Sequence, residues 1–156
     1  MLYFLLKFLH LIGATVLLGT GAGIAFFMLV AHRSGNVALI AGVARIVVTA
    51  DFLFTATAAV FQPITGILLA REAGYALSEA WIALSIGLYL FIGAFWLPVV
   101  WMQMRMRDLA QAALSEGTPL PARYYTLFRI WFIFGFPAFA AMLALYWLMI
   151  TRPQML

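Results

Sequence analysis

His10, Asp51, Gln62 and Tyr89 stand inside long apolar stretches of this chain, where a polar side chain costs free energy unless it faces protein or water. On the helix face of His10, Gly13, Ala14, Leu17 and Gly21 follow at spacings of three, four, seven and eleven, so the surface beside the imidazole is small and open to close approach. Imidazole is a common axial ligand of haem iron, and a glycine-rich flank leaves room for a porphyrin edge. The competing reading is a histidine that donates a ring N–H to a carbonyl or to Gln62 and serves packing alone.

A second set of polar positions is periodic. Asp51, Thr55, Ala58, Gln62 and Thr65 are spaced four, three, four and three, which places them on one helical face. Such a stripe either fixes helix packing through hydrogen bonds worth about 0.6 kcal/mol each, or forms a proton or substrate path. Pro63 removes one backbone donor and frees a carbonyl about one turn earlier, which a polar neighbour or water must satisfy. Ser85, Tyr89, Ile92, Trp96, Val99 and Gln103 repeat the same spacing further along and read as a facing stripe, with Pro98 bending that helix. Asp51 falls near one end of its span, where an ion pair with Arg45, Arg105 or Arg129 is expected and a catalytic carboxylate is the alternative.

Counted from one side, His10 lies nine residues from Met1, Gln62 nine from Arg71, Tyr89 ten from Glu79 and Met142 nine from Thr151. Each is then about 14 Å deep, so one layer can hold an imidazole, an amide, a phenol and a thioether. His32 is 22 residues beyond His10 on the same helix, about 33 Å away, and the two cannot grip one haem within a chain. A haem b would be five-coordinate on His10, ligated by His10 and Met142, or shared between the His10 residues of two protomers. The chain has no cysteine, which excludes disulfides, thiolate zinc sites, iron–sulfur clusters and covalent haem. Met102, Met104 and Met106 suggest Cu(I), but on a helix Met104 points away from the other two.

The elements that must position these groups follow from composition. The 156 residues are 67% hydrophobic and 9% charged, with a mean hydropathy of +1.08, far from a soluble domain. Four apolar runs of spanning length appear at about 2–31, 46–70, 81–102 and 125–150, the second preceded by a helical lead-in from Val37 to Arg45 and the last closed by Arg152-Pro153. The expected fold is all-α, a single four-helix transmembrane domain over 1–156. Between the last two spans, Arg105, Arg107 and Asp108 read as helix leaving the membrane and 116–121 as a loop. Gly19 and Gly23 form a GxxxG pair that signals close helix contact. The first and third loops carry six Lys or Arg and the other side three, which places both termini outside a bacterial inner membrane. Trp81 and Trp147 then mark the outer interface, Trp101 and Trp131 the inner one, and Trp96 lies deep. The start reads as an uncleaved first span, because the apolar stretch is too long for a signal peptide and no basic segment precedes it. The net charge of +4 has no basic stripe for a run of phosphates, so the partners expected are the lipid bilayer and a second copy or a larger membrane complex, not nucleic acid.

In the stretch from Lys7 to Ala14, in Gln62-Pro63-Ile64-Thr65-Gly66, in Trp96-Leu97-Pro98 and from Trp131 through Phe136-Pro137-Ala138-Phe139, the chain resembles a family of bacterial predicted integral membrane proteins of unknown function, over nearly its whole length. That resemblance implies four spans and brings no activity with it. More distantly, the chain resembles the four-helix HemJ-type protoporphyrinogen oxidases and the copper-resistance D-type membrane proteins: Lys7 and His10 are similar to the K-x-x-H context of the HemJ-type family, in which that histidine is haem-associated. The lysine that the HemJ-type family carries four residues after the tryptophan opening its third span is Ser85 here, after Trp81. The likeness thus implies haem at His10 without the porphyrin-handling ammonium group. The functions expected are a b-type haem redox protein whose Asp51 to Thr65 stripe moves protons, a non-enzymatic accessory or assembly subunit, or a small transporter.

Overall fold

The computed structural model describes residues 1–152; Pro153, read above with Arg152 as the stop of the last span, lies outside them. The fold is all-α, with four helices long and apolar enough to cross a membrane: α1 Leu2–Ser34, α2 Val37–Glu72, α3 Ala80–Glu116 and α4 Ala122–Thr151. No strand occurs among the described residues. The four apolar runs fall inside these helices, and each helix extends past its run because nothing in the polar flanks breaks it. The lead-in from Val37 is continuous with the second span, and Arg105 to Asp108 continue α3.

The turns follow from local chemistry. Gly35 adopts φ 65°, a left-handed conformation that favours glycine, and Asn36 then caps α2 by accepting from the Leu39 N–H at 3.1 Å. Gly117 ends α3 in the same left-handed region, before the Pro119 and Pro121 loop.

Within α2 one turn is different. Asp51–Thr55 is π-helical, closed by a bond from the Ala56 N–H to the Asp51 carbonyl, between α-helical Val37–Ala50 and Ala56–Glu72. The wider turn lets Asp51 and Thr55 both face the bundle, with Asp51 at 3% exposure and Thr55 at 8%. Single π turns inside α-helices recur at functional sites.

Packing is uneven along the bundle. Helix α1 packs along α2, and α4 packs along α3, while α3 meets α2 mainly over Val37–Ala50. The main core therefore sits at the end away from the termini, where Met28, Ile40, Ala41, Met106, Ala110 and Tyr124 are essentially inaccessible. Met102 and Met106 are core residues there. Towards the termini the two helix pairs are joined by side chains. Tyr89 on α3 donates to the carbonyl of Ala59 on α2, the acceptor that Pro63 deprives of its backbone donor. Tyr89→Phe leaves that carbonyl unserved and is expected to lower stability by about 1 kcal/mol, read as an earlier unfolding midpoint in mixed micelles containing SDS. An unchanged midpoint would show that Ala59 has another donor.

Two packing expectations are corrected. No atom lies within 4 Å of a Cβ built on Gly19, and Gly23 meets only Phe27 of its own helix, so the GxxxG pair makes no helix contact among the described residues. The close contact is made by Gly13 and Gly66 instead. Trp131, expected at a lipid interface, is 4% exposed and points into the bundle, because it has a buried hydrogen-bond acceptor there.

Candidate functional site

At the termini end, α1 and α2 meet around His10. Its Nδ1 lies 2.9 Å from Thr65 Oγ1, and the Thr65 hydroxyl lies 2.9 Å from the Phe61 carbonyl and 3.2 Å from that of Gln62. The Gln62 amide clamps the backbone of α1. Its NH2 is 3.0 Å from the His10 carbonyl and 3.2 Å from His10 Nδ1, and its oxygen accepts from the Ala14 N–H at 3.1 Å. Two glycines make this approach possible. A Cβ on Gly13 would lie 2.7 Å from the end of the Gln62 side chain, and one on Gly66 would lie 3.0 Å from His10 Cε1. The small surface beside the imidazole is thus filled by Gln62 and by the imidazole itself.

The cluster accepts either neutral tautomer of His10. In one, Nδ1–H donates to Thr65, whose own proton goes to Phe61, and Nε2 keeps a lone pair. In the other, Nδ1 accepts from Thr65 or from Gln62, and Nε2 carries the proton. Nε2 has no hydrogen-bond partner among the described residues.

The second cluster surrounds Asp51, about 21 Å along α2 from Thr65. Trp96 Nε1 donates to Asp51 Oδ1 at 3.3 Å, and the Gln103 NH2 donates to Oδ2 at 2.8 Å. The Gln103 carbonyl in turn accepts from Trp131 Nε1 at 3.2 Å. Thr55 adjoins the carboxylate, and its buried hydroxyl makes no hydrogen bond of standard geometry. The ion pair expected with Arg45, Arg105 or Arg129 is absent: the one salt bridge among the described residues is Arg107 to Asp108. Those arginines are exposed, and long cationic side chains near the ends of the apolar runs gain more from water and headgroups than from a buried acid.

Asp51, Thr55, Gln62, Thr65, Ser85 and Gln103 are the buried polar residues of the described chain, all from the two stripes. The structure joins Gln62 and Thr65 to His10, and Tyr89 to Ala59, one turn nearer to Asp51. Met142 is half-buried on α4, which makes little contact with α1. Neither Trp131 nor Gly66 was singled out as a site residue by spacing. Trp131 lies off the two stripes on a fourth helix, and its place emerges only when Gln103 is seen to need an N–H donor. His32 stacks on Phe128 with ring centroids 3.6 Å apart, at the far end of α1 from His10.

The chain matches a family model described as predicted integral membrane protein (DUF2269), over residues 4–153. The chain belongs to this family. No curated protein and no solved structure matches it, and the likeness to HemJ-type and copper-resistance D-type proteins is not shown by these comparisons. The membership places the whole bundle, with both clusters, in one family of integral membrane proteins.

Proposed function

We propose that this protein conducts protons along α2, between Asp51 and His10, across a bacterial inner membrane in which both termini face the periplasm. One observation carries the reading: the one buried acid among the described residues has no cationic partner and stands at the head of a file of polar groups leading to a histidine. Acid and histidine files of this kind inside membranes serve proton transfer. The file runs from Asp51 through Thr55, the Ala59 carbonyl with Tyr89, and Gln62 to His10 and Thr65. Successive members on α2 are about one turn, or roughly 5–6 Å, apart, a gap that one water bridges. The carboxylate faces two N–H donors, so it lacks the cage of oxygens that a metal cation requires, and a proton is the cation it suits. The two tautomers open to His10 let that ring take a proton on one nitrogen and release one from the other.

Reconstituted in liposomes with an imposed pH gradient, the protein is expected to dissipate the gradient faster than protein-free liposomes, read with an internal pH dye. Equal rates would overturn the reading.

A second reading, haem b bound at His10, is favoured by one feature. Ligating histidines are oriented by a hydrogen bond that the other ring N–H donates, and Nδ1–H can donate to Thr65 Oγ1 while Nε2 has no hydrogen-bond partner among the described residues. His10 would hold the iron, and the glycine surface beside it, filled by Gln62 and the imidazole, would not receive a porphyrin edge. Bound there, haem would supply one-electron chemistry next to the proton file. Protein purified with haem precursor supplied is expected to show a Soret band that shifts on reduction and is lost in His10→Ala; a colourless, monodisperse protein removes this reading and leaves proton conduction standing. An accessory or assembly role in a larger membrane complex would instead appear as co-purification with a defined partner.

A further inference from the structure

We infer that Trp131, on α4, is a positioning residue that fixes the Gln103 amide and thereby directs the proton of Asp51 towards Thr55. The inference deepens the proton-conduction reading and rests on it for its role, though not for its test. An indole N–H can only donate, so Gln103 must turn its carbonyl to Trp131 and its NH2 to Asp51. Gln103 is 3% exposed and Trp131 4%, which leaves no bulk water to relieve a reversed amide. Trp96, also a donor only, holds the other carboxylate oxygen. Both oxygens of Asp51 therefore face donors, and a proton arriving on the acid finds no acceptor in Trp96 or in the Gln103 NH2. The polar group left beside it is the Thr55 hydroxyl, buried, next to the carboxyl and in no hydrogen bond of standard geometry, which is the next member of the file.

Remove the indole N–H and the constraint disappears. The Gln103 amide is then free to rotate and offer its carbonyl to the protonated acid, which donates back to α3 instead of along α2. Through this one amide, the packing of α4 on α3 reaches the proton-binding group on α2, although the hydrogen bonds to the carboxylate come from Trp96 and Gln103 of α3.

The test is infrared spectroscopy of the reconstituted full chain at acid pH, with the protonated carboxyl band of Asp51 assigned by its loss in Asp51→Asn. Trp131→Phe and Gln103→Leu are each expected to move this band. The double variant is expected to match Gln103→Leu alone, since Trp131 acts through Gln103. A band unmoved by Trp131→Phe, or a double variant showing both shifts added, overturns the inference. If Trp131→Phe does not fold, the Trp131 N–H vibration in Gln103→Leu gives the same decision: movement to the frequency of an unbonded indole supports the link, and no movement overturns it. The measurement is made at equilibrium and needs no flux. A protein that conducts no protons yet shows these shifts loses the conduction reading and keeps the link, and an unmoved band in a conducting protein does the reverse.

Discussion

Asp51→Asn is expected to reduce proton flux in liposomes to the rate of protein-free vesicles, while the protein remains helical and monodisperse. The carboxamide has nearly the shape of the acid, and its oxygen still accepts from Trp96 or from Gln103, but it cannot bind and release a proton at the pH of a cell. One donor is left facing the new NH2, at a cost of about 1–3 kcal/mol, which a well-packed bundle tolerates. Asp51→Leu makes the contrast. It abolishes flux equally and also leaves the Trp96 N–H and the Gln103 NH2 without an acceptor inside the bundle, so its unfolding midpoint in SDS should fall well below that of Asp51→Asn. Flux retained in Asp51→Asn would remove Asp51 from the path.

The second large effect belongs to the contact between α1 and α2. Gly66→Val adds a Cβ 3.0 Å from His10 Cε1, and its two further methyl groups need space now occupied by the imidazole. The ring must leave Thr65, or the helices must separate. Overpacking of this kind costs about 1–3 kcal/mol, added to the loss of the His10 to Thr65 bond. Gly13→Val, whose Cβ would lie 2.7 Å from the Gln62 amide, is expected to release the clamp on the His10 carbonyl and the Ala14 N–H with a similar loss. Gly19→Ala is the control. Nothing lies within 4 Å of its Cβ, so it should be neutral or slightly stabilising, as expected of glycine to alanine in a helix. The unfolding midpoints of the three variants decide the matter, and a Gly19→Ala loss matching that of Gly66→Val would place the contact elsewhere.

Much of the site was legible because helical spacing is a one-dimensional property. Asp51, Thr55, Ala58, Gln62 and Thr65 recur at three and four residues, and lipid makes any outward-facing polar group expensive, so the stripe had to face protein. The π turn did not disrupt this order, since it fell between two residues of the stripe and kept both inside. Pro63 likewise announced an unserved carbonyl about one turn earlier, and only the identity of its donor, Tyr89, was open. What spacing could not supply was the partner of Asp51. Charge counting pointed to arginine, because an acid near a span end with arginines at similar depth reads as an ion pair. The choice between Arg45 and the Trp96 and Gln103 pair depends on which helix lies opposite.

By itself the sequence determined that this chain is solvated by lipid, crosses the membrane as four helices and turns two polar stripes inward, because hydropathy and period are set by residues close together along the chain. The tertiary structure decided which glycines meet, that Gly13 and Gly66 admit Gln62 and His10 while Gly19 faces no neighbour, and that Trp131 on the fourth helix orients the amide that holds Asp51. These are relations between residues tens of positions apart on different helices. Their distances are fixed by how the helices pack on one another, which no spacing within a single helix encodes.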